Sequence, residues 1–380
     1  MSADRVSLTD EVTSTGLRAG LDVVGVAAVE PFLSTRADLI SRKASGLHGG
    51  MAFTYRNPER STEPGRIVPG AASLVVGARS YLKAPTPLAG AGPTGRVARY
   101  AWDDTYAPLR AGLAAMAERL RSAGYAARVV ADDNALVDRE AAVRAGLGWY
   151  GKNANLLLPG RGSWFVLGSV VTDATLTPAP SGPADGCGSC RCCLAGCPTE
   201  AIVAPGVVDA RRCLAWLLQA PGVFPRQWRE ALGDRMYGCD DCQEVCPPNR
   251  AADRSGPSII DDRDRPWIDI LAWLALDDAA LLAAAGRWYV PNRAPRYLRR
   301  NALVVLGNTG RGSDPEVVTA VATALNDVDP VVRAHAVWAA ARIGRPELAM
   351  QLRRTEAEPM VLAELDVIDD VRPNRRSAAS

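Results

Sequence analysis

The stretch that decides the organisation of this chain is CGSCRCCLAGCP, residues 187–198, together with YGCDDCQEVCPP, residues 237–248. The first segment has the spacing C-x2-C-x2-C-x3-C-P, by which bacterial ferredoxins hold [4Fe-4S] clusters. The second segment also ends on Cys-Pro, and Cys213 upstream completes another set of four. Eight of the nine cysteines fit these two sets, so the spacing predicts two [4Fe-4S] clusters and a role in electron transfer.

The two sets are predicted to exchange one ligand each. In two-cluster ferredoxins the cysteine before the proline binds the neighbouring cluster, because the turn at proline carries the chain across. We therefore expect the ligands of the first cluster to be Cys187, Cys190, Cys193 and Cys246, and those of the second to be Cys197, Cys213, Cys239 and Cys242. Cys192 fits neither spacing, and we interpret it as a spare or packing thiol.

Zinc and disulfide bonds are the competing interpretations of these cysteines. Zinc would need paired C-x2-C knuckles separated by loops, whereas the first segment adds a third cysteine and then a fourth before proline. Disulfides need an oxidising compartment, and the chain opens on the polar segment MSADRVSLTD. No apolar run approaches the ~20 residues of a membrane span. We therefore expect a cytoplasmic protein with reduced thiols and no membrane insertion.

An α/β pattern precedes the cysteines. Strand-like apolar runs at 23–29, 73–77, 127–131 and 163–171 alternate with helical patterns at 107–123 and 136–145. This order predicts an α/β domain with a mixed sheet over residues 1–178. A linker rich in proline and glycine at 178–183 leads into a ferredoxin-like domain with two clusters over residues 179–258.

Residues 259–366 are predicted to be α-helical and HEAT-like. An arginine followed by small residues recurs after 34 residues, since Arg299, Ala302, Val305 and Gly310 are echoed by Arg333, Ala336, Ala339 and Gly344. A plain helical packing domain is the alternative. Repeat proteins often present a concave face, and five arginines could line such a face here: Arg296, Arg299, Arg300, Arg311 and Arg333. The alternative is that these arginines are simply solvated. We expect residues 367–380 to be a disordered tail.

Electrons that pass through two clusters need an acceptor site in the same protein, and we expect it in the α/β domain. The domain has no G-x-G-x-x-G after a strand, and the whole chain has only His48 and His335, so dinucleotide binding and histidine catalysis are unsupported. A carboxylate at the end of a buried strand suits general acid catalysis, which makes Asp132 the candidate. The alternative is that Asp132 or Asp133 caps the following helix. Lys152, one of three lysines, stands in a glycine-rich turn.

The motifs, taken in order, closely resemble those of the epoxyqueuosine reductases, cobalamin-dependent iron–sulfur enzymes of tRNA modification. The matching segments are GLHGGM, PERSTEPGRIVPGA, DDNALVDREAAVRAGLGWYGKN, GSWFVLG, CGSCRCCLAGCPTEAI, DARRC, YGCDDCQEVCP and RNALVVLGN. The resemblance implies reduction of epoxyqueuosine to queuosine at the wobble position of tRNA, with two [4Fe-4S] clusters and cobalamin as cofactors. It implies as partners a tRNA anticodon stem-loop carrying epoxyqueuosine and an external low-potential electron donor, and we expect a monomer.

The resemblance also implies roles for single residues. The family's catalytic acid falls on Asp132, which would protonate the departing oxygen while the clusters deliver electrons singly to the cobalamin. The cobalamin-facing elements of the family fall on Arg60, Asp132, Lys152, Asn153, Ser163, Leu167, Cys239 and Asp240.

The chain departs from the family at three positions, and two other classes of protein share its features. Thr105 and Ala107 stand where members commonly have Asp and His, and Ala98 stands where some have a cysteine near the cobalt. Reductive dehalogenases combine a corrinoid domain with two cubane clusters, but they usually carry an export signal and lack the helical tail. An electron carrier or corrinoid-reactivating protein would have clusters and no substrate of its own.

Overall fold

The computed structural model describes residues 2–84, 92–180, 182–255 and 264–374. The chain divides into two compact units. Unit 1 comprises Met1–Ala84, Asp103–Arg211 and Asp240–Asp262, and unit 2 comprises Pro85–Trp102, Arg212–Cys239 and Arg263–Ser380.

The division into units differs from the predicted series of three domains. The cluster segment predicted as a domain over 179–258 is shared, because Arg212–Cys239 belongs to unit 2. Residues around 94–97 also belong to unit 2, where they pair with strands from later in the chain. The predicted boundary at 258 and 259, Ser181 of the linker and residues 375–380 of the tail lie outside the described residues.

Eleven strands are found in the described residues. They are β1 Val23–Ala28, β2 Ser73–Ser80, β3 Thr94–Val97, β4 Ala127–Val130, β5 Trp149–Tyr150, β6 Leu156–Leu157, β7 Phe165–Thr172, β8 Ile202–Ala204, β9 Val207–Val208, β10 Arg235–Tyr237 and β11 Trp267–Asp269.

Seventeen α-helices are found in the same ranges, several of a single turn. They are α1 Ser2–Arg18, α2 Leu33–Ala44, α3 Pro58–Ser61, α4 Tyr106–Ser122, α5 Asp138–Arg144, α6 Cys192–Ala195, α7 Leu214–Leu217, α8 Arg226–Leu232, α9 Asp241–Glu244, α10 Pro247–Ser255, α11 Ile270–Ala275, α12 Asp278–Ala285, α13 Arg296–Thr309, α14 Pro315–Leu325, α15 Pro330–Arg342, α16 Glu347–Met350 and α17 Pro359–Leu365. None of the helices in the described residues is long and apolar enough to cross a membrane.

Unit 1 is built on a four-stranded sheet of order β1-β2-β7-β4. The four predicted strands are confirmed with shifted ends, and every neighbouring pair is antiparallel. The two central strands are buried along almost their whole length, as expected for a sheet that is covered on both faces. Leu74, Val76 and Ala78 pack on the face that carries α5, whereas Gly77 on the other face approaches Leu113 of α4. The predicted α/β architecture is therefore confirmed.

Unit 2 is mostly helical, with one small sheet. Its sheet has the order β10-β3-β11, with one parallel and one antiparallel pair, so mixed pairing occurs here. Helices α13 and α15 supply a large part of the core, including Leu303, Leu306 and Trp338. Arg299, Ala302 and Val305 lie on α13, Arg333, Ala336 and Ala339 lie on α15, and Gly310 and Gly344 follow the helix ends, so the predicted HEAT-like repeat is confirmed.

Residues 367–374 are ordered, although a disordered tail was predicted to begin at residue 367. Ile368 is buried in the core of unit 2. The Asn374 side-chain amide donates hydrogen bonds to the carbonyl oxygens of Gly307 and Gly310, at 2.7 and 2.9 Å. The prediction was wrong for this stretch because composition does not show that carbonyl oxygens at the end of a distant helix need hydrogen-bond donors, which Asn374 supplies here.

Candidate active site and cluster-binding segments

Asp132 follows β4 in a strained backbone conformation. Its φ is +56°, in the left-handed region that a non-glycine residue occupies at a cost of roughly 1–3 kcal/mol. The carbonyl oxygen of the preceding residue, Ala131, accepts a hydrogen bond from Arg110 of α4 at 3.4 Å. The Asp132 side chain is exposed. Strand β4 is a partly exposed edge strand and not the buried strand that was predicted, so the segment presents a carboxyl group from a constrained loop beyond the edge strand of the sheet.

Asp138, at the start of α5, lies against this loop. The Asp132 backbone amide donates a hydrogen bond to its carboxyl group. The other Asp138 oxygen, Oδ1, is shut off from solvent and has no hydrogen-bond partner. Burial, and next the charge of Asp132, raise the pKa of Asp138 well above its usual range. Asp138 therefore favours its protonated form and places a second carboxyl group beside Asp132.

The helix-capping alternative for Asp132 and Asp133 is wrong. Helix α5 begins at Asp138, and Val137 occupies the N-cap position without a side-chain cap. The Asp133 carboxylate instead accepts the backbone N–H of Ala135 at 2.8 Å. Asp133 closes a local turn and Asp132 is left outside it.

The glycine- and proline-rich segment 46–71 is tied to the Asp132 loop by two hydrogen bonds. The Thr54 amide donates to the Asn134 side chain at 2.8 Å. The Val137 amide donates to the Ser61 carbonyl oxygen at 3.0 Å. Arg60, next to Ser61 on α3, is exposed. The structure thus brings the predicted site residues Arg60 and Asp132 onto segments that contact each other.

Leu167 belongs to the same edge of the sheet. Val130 of β4 pairs with Ser169 of β7, and a Cβ on Gly168 would lie 2.9 Å from the Ala131 Cβ. Leu167 is the neighbour in β7 of Gly168, which lies beside Ala131, the residue before Asp132. An exposed cation, an exposed carboxyl group and a buried carboxyl oxygen without a partner, beside an apolar residue, fit the contacts that a large ligand with a polar rim requires.

The four cysteines predicted for the first cluster all lie in unit 1. Burial raises the pKa of the Cys246 thiol to about 11, and the nearby thiols of Cys187, Cys193 and Cys190 add to the shift. The segment from residue 187 is held in a turn, in which the Cys190 amide donates to the Cys187 carbonyl oxygen at 2.9 Å. The structure therefore brings together the set that includes the cysteine before the second proline.

The cysteines predicted for the second cluster are distributed over both units. Cys197 and Cys242 lie in unit 1, and Cys213 and Cys239 lie in unit 2. The Ala201 amide donates to the Cys197 sulfur at 3.2 Å, a contact of the kind that tunes cluster potentials. Cys239 follows Gly238, whose φ is +69° and where an added Cβ would lie 2.5 Å from Ala98.

The thiols suit cubane clusters in their chemical state. All nine are free. Among the described residues, no three His, Cys, Asp or Glu side chains converge as ligands of one metal ion. In a cubane each thiolate binds its own iron atom, so the four sulfur atoms do not meet at one point. Cys192 is exposed, so it is a spare thiol and not a packing one.

Lys152 and Asn153 lie at the tip of the β5–β6 hairpin and contact the cluster segments. The Lys152 Nζ donates to the carbonyl oxygens of Gly188 and Cys190. The Asn153 amide donates to the carbonyl oxygen of Cys242 at 3.2 Å. These two residues were predicted to face cobalamin, and the contacts that the structure gives their side chains are with the iron–sulfur segments.

Ser163 is part of a buried polar network in unit 1. Its hydroxyl accepts hydrogen bonds from the side-chain amides of Gln243 at 3.0 Å and Asn249 at 2.9 Å. Gln243 also donates to the Tyr81 hydroxyl at 3.1 Å. Burial raises the pKa of Tyr81, and the nearby charge of Asp240 adds to it. Ser163 therefore connects the start of β7 to the cluster segment, and Asp240 lies near that network.

Most of the arginines proposed for an RNA-binding face serve the fold of unit 2. Arg300 is fully buried and donates to the carbonyl oxygens of Leu217, Leu218, Ala220 and Gly222. Three more are ion-paired, Arg296 with Asp329, Arg299 with Asp278 and Arg333 with Glu356. Arg311, the fifth of the set, is exposed, so simple solvation describes it and not the other four, whose contacts a periodic pattern does not reveal.

Asp138 is a candidate functional residue that sequence reasoning missed. Its sequence signal was weak, since an aspartate in the first turn of a helix is ordinary. Only its burial and its contact with Asp132 distinguish it.

The combined observations define an iron–sulfur protein with an α/β catalytic unit and helical repeats. Residues 186–249 match the family described as 4Fe-4S double cluster binding domain, and residues 290–364 match HEAT repeats.

Relatives across nearly the full length make the family specific. An epoxyqueuosine reductase of Alicycliphilus denitrificans is 33% identical over 85% of this chain and 94% of its own. That of Xanthomonas campestris is 35% identical over 86% and 93%. The chain belongs to the epoxyqueuosine reductase family.

Solved structures of epoxyqueuosine reductases have a similar fold over nearly the whole chain. A crystal structure of an epoxyqueuosine reductase with an epoxyqueuosine-modified tRNA stem loop has a TM-score of 0.87, 28% identity, and coverage of 96% of this chain and 98% of that one. A structure from Bacillus subtilis, whose catalytic loop is swung out of the active site, has a TM-score of 0.86 at 28% identity, with coverage of 96% and 99%.

Proposed function

We propose that this protein reduces epoxyqueuosine to queuosine at the wobble position of tRNA, as an oxidoreductase that uses two [4Fe-4S] clusters and cobalamin. The observation that carries the proposal is the match to epoxyqueuosine reductases over more than nine-tenths of their own length. The solved relative that holds a modified tRNA stem loop supports the choice of substrate.

The reaction requires electrons and protons in equal number. Removing the epoxide oxygen as water and leaving a carbon–carbon double bond takes up two electrons and two protons. Iron–sulfur clusters pass electrons one at a time, which fits a pair of clusters in series. Cobalamin, when bound, supplies the nucleophilic metal centre for breaking the carbon–oxygen bond.

Asp132 is the residue that we assign to proton delivery. Its side chain is exposed and lies two residues beyond the end of the edge strand β4. The strained φ of +56° supports this role, because such strain persists only where surrounding contacts hold it. A positioned acid that protonates the departing oxygen accelerates such a step by about 10²- to 10⁴-fold.

Asp138 supports Asp132 in two ways. Its carboxyl group accepts the Asp132 amide and so holds the strained loop. Because burial favours its protonated form, it also keeps a proton beside Asp132 while the latter reacts. We assign to Asp138 the positioning of the acid and the storage of a proton at its buried carboxyl group.

Arg60 and Leu167 remain our candidates for cobalamin contacts, since Arg60 is exposed on a segment tied to the Asp132 loop and Leu167 adjoins Gly168, which lies beside Ala131. We keep Cys239 and Asp240 as further candidates, from the family resemblance alone.

The remaining partners follow from the chemistry. The clusters require an external low-potential electron donor, and we propose that the enzyme works as a monomer. Reduced thiols and a tRNA substrate favour a cytoplasmic location.

The decisive experiment is anaerobic. Reconstituted protein with cobalamin and a chemical reductant is given tRNA that carries epoxyqueuosine, and the digested nucleosides are examined by mass spectrometry. We expect epoxyqueuosine to lose one oxygen atom only when cobalamin is present. Bound clusters and cobalamin without any change in the nucleoside would reject the substrate and leave the carrier function to be tested.

A further inference from the structure

The β5–β6 hairpin that carries Lys152 is held by strand pairing and by hydrogen bonds within its turn. Strands β5 and β6 pair Trp149 with Leu157 and Tyr150 with Leu156, and the turn between them is GKNAN. The Gly151 amide donates to the Asn155 carbonyl oxygen at 2.8 Å, and the Ala154 amide donates to that of Gly151 at 2.9 Å.

The base of Lys152 is fixed independently. Its carbonyl oxygen accepts the Gly206 amide, in the turn between β8 and β9, at 2.9 Å. Asn153, next to it, is buried and holds the turn by accepting the Asn155 amide at 3.1 Å. The position from which the lysine side chain extends is therefore set by backbone contacts on both sides.

The ammonium group of Lys152 lies on the first cluster-binding loop. Its Nζ is 2.5 Å from the Gly188 carbonyl oxygen and 2.9 Å from that of Cys190. Gly188 has a φ of +44°, so the loop turns sharply between the two predicted ligands Cys187 and Cys190. Two carbonyl oxygens that this turn leaves outside regular secondary structure are bound by one cation.

A fixed cation at this place has a consequence for the cluster. Each electron that a cluster accepts makes it more negative, and a nearby positive charge stabilises the reduced state. The Lys152 side chain is only half-buried, but its charge is bonded to the backbone of a predicted ligand residue, so it stays at a constant position.

We propose that Lys152 is a positioning and potential-tuning residue of the first [4Fe-4S] cluster, that it shapes the Cys187–Cys190 loop, and that its charge raises the reduction potential of this cluster. The β5–β6 hairpin thereby sets how readily the first cluster accepts an electron. This role goes beyond the proposed reaction, and it rests on Cys187 and Cys190 being ligands.

The test uses the full-length protein with both clusters reconstituted, without cobalamin or tRNA. Reduction potentials are measured by a redox titration followed by electron paramagnetic resonance. Lys152→Gln keeps hydrogen-bond donors and removes the charge, whereas Lys152→Arg keeps the charge. Lys43→Gln, at an exposed lysine of α2, is the matched control.

The expected result is a shift of one cluster to lower potential in Lys152→Gln. The other cluster should be unchanged, and both potentials should be unchanged in Lys43→Gln and close to the original in Lys152→Arg. Loss of iron from one cluster alone in Lys152→Gln, with both retained in Lys152→Arg, would equally support the role, because the ligand loop would then have lost its shape.

Two results would overturn the proposal. One is Lys152→Gln with full iron content and both potentials unaltered. The other is loss of both clusters in Lys152→Gln and Lys152→Arg alike, since the residue would then serve the fold as a whole. The measurement contains no substrate. Unchanged potentials would therefore not argue against the proposed reaction, and absence of the reaction would not alter the interpretation of the potentials.

Discussion

Buried charged groups are treated in opposite ways in the Asp132 region of unit 1 and the helical core of unit 2. In unit 2, the fully buried Arg229 meets the Glu364 carboxylate through two hydrogen bonds, at 2.9 and 2.8 Å. In unit 1, the buried Oδ1 of Asp138 has no partner, and the adjacent Asp132 is strained. The first arrangement stabilises a fold, and the second keeps a reactive group at a fixed place.

The difference teaches how to separate stability from catalysis in this chain. A group whose hydrogen-bonding capacity is used should affect unfolding when it is changed, and a group left incompletely satisfied should affect turnover. Four substitutions or conditions test that separation.

The largest effect is expected for Asp132→Asn. Asparagine keeps the size of the side chain but cannot donate an acidic proton, so turnover should fall by about 10²- to 10⁴-fold. Iron content, cobalamin binding and the unfolding temperature should be retained. Single-turnover assays with modified tRNA measure the loss, and undiminished turnover would refute the role of Asp132.

Glu364→Gln should break the unit 2 arrangement. It removes the charge that compensates the buried Arg229, at a cost of about 3–5 kcal/mol in the free energy of unfolding. Denaturant unfolding of the cluster-loaded protein measures this, and turnover per folded molecule should be unchanged. Arg345→Gln, which removes an ion pair to the exposed Glu347, is the control and should cost less than about 1 kcal/mol. Equal losses in the free energy of unfolding for the two variants would contradict the distinction between the buried and the exposed ion pair.

Asp138 should affect turnover more than stability. Asp138→Ala removes the acceptor of the Asp132 amide, and the resulting displacement of the acid should cost about 10- to 100-fold in turnover. Asp138→Asn resembles the protonated carboxyl group, so it should retain more activity at neutral pH and alter the shape of the pH–rate profile. Identical activities and profiles for the two variants would exclude both assigned roles.

The smallest effect is expected for the free energy of unfolding as the pH is lowered from about 6.5 to 5. His335 in unit 2 is fully buried, its Nε2 accepts the Phe224 amide at 3.0 Å, and burial lowers its pKa well below the usual value. The unfolded chain therefore binds a proton that the folded chain does not, so stability is complete above the unfolded pKa and is lost as pH falls below it.

The loss from His335 should approach about 1.4 kcal/mol per pH unit below about 6.5. Denaturant unfolding at several pH values measures the slope, which His335→Gln should reduce even though it lowers stability overall. An unchanged slope in this variant would assign the pH dependence to other groups.

Part of the site was open to prediction from local patterns. The spacing of eight cysteines predicted two clusters before any fold was known, because the ligands within each turn are only two or three residues apart. The four strands of unit 1 were also predicted within a few residues, and the two central ones are buried on both faces, which requires continuous apolar runs. Asp132 was accessible through its place after the predicted strand at 127–131 and through family resemblance.

Other features depended on contacts between residues far apart in the chain. Lys152 was noticed in the sequence for its rarity, but its contact with the loop at Gly188 and Cys190 arises only from how the hairpin packs. The burial of Arg300 under four backbone carbonyl oxygens and the contact of Asp138 with Asp132 are of the same kind.

The sequence by itself thus determined the cofactor chemistry and the four strands of the unit 1 sheet, since cysteine spacing and apolar periodicity act over one turn or one strand. The tertiary structure alone decided which charged groups compensate one another and which are kept available. The physical reason is that burial and partner geometry set the free energy of a charge, and both come from the packing of distant segments.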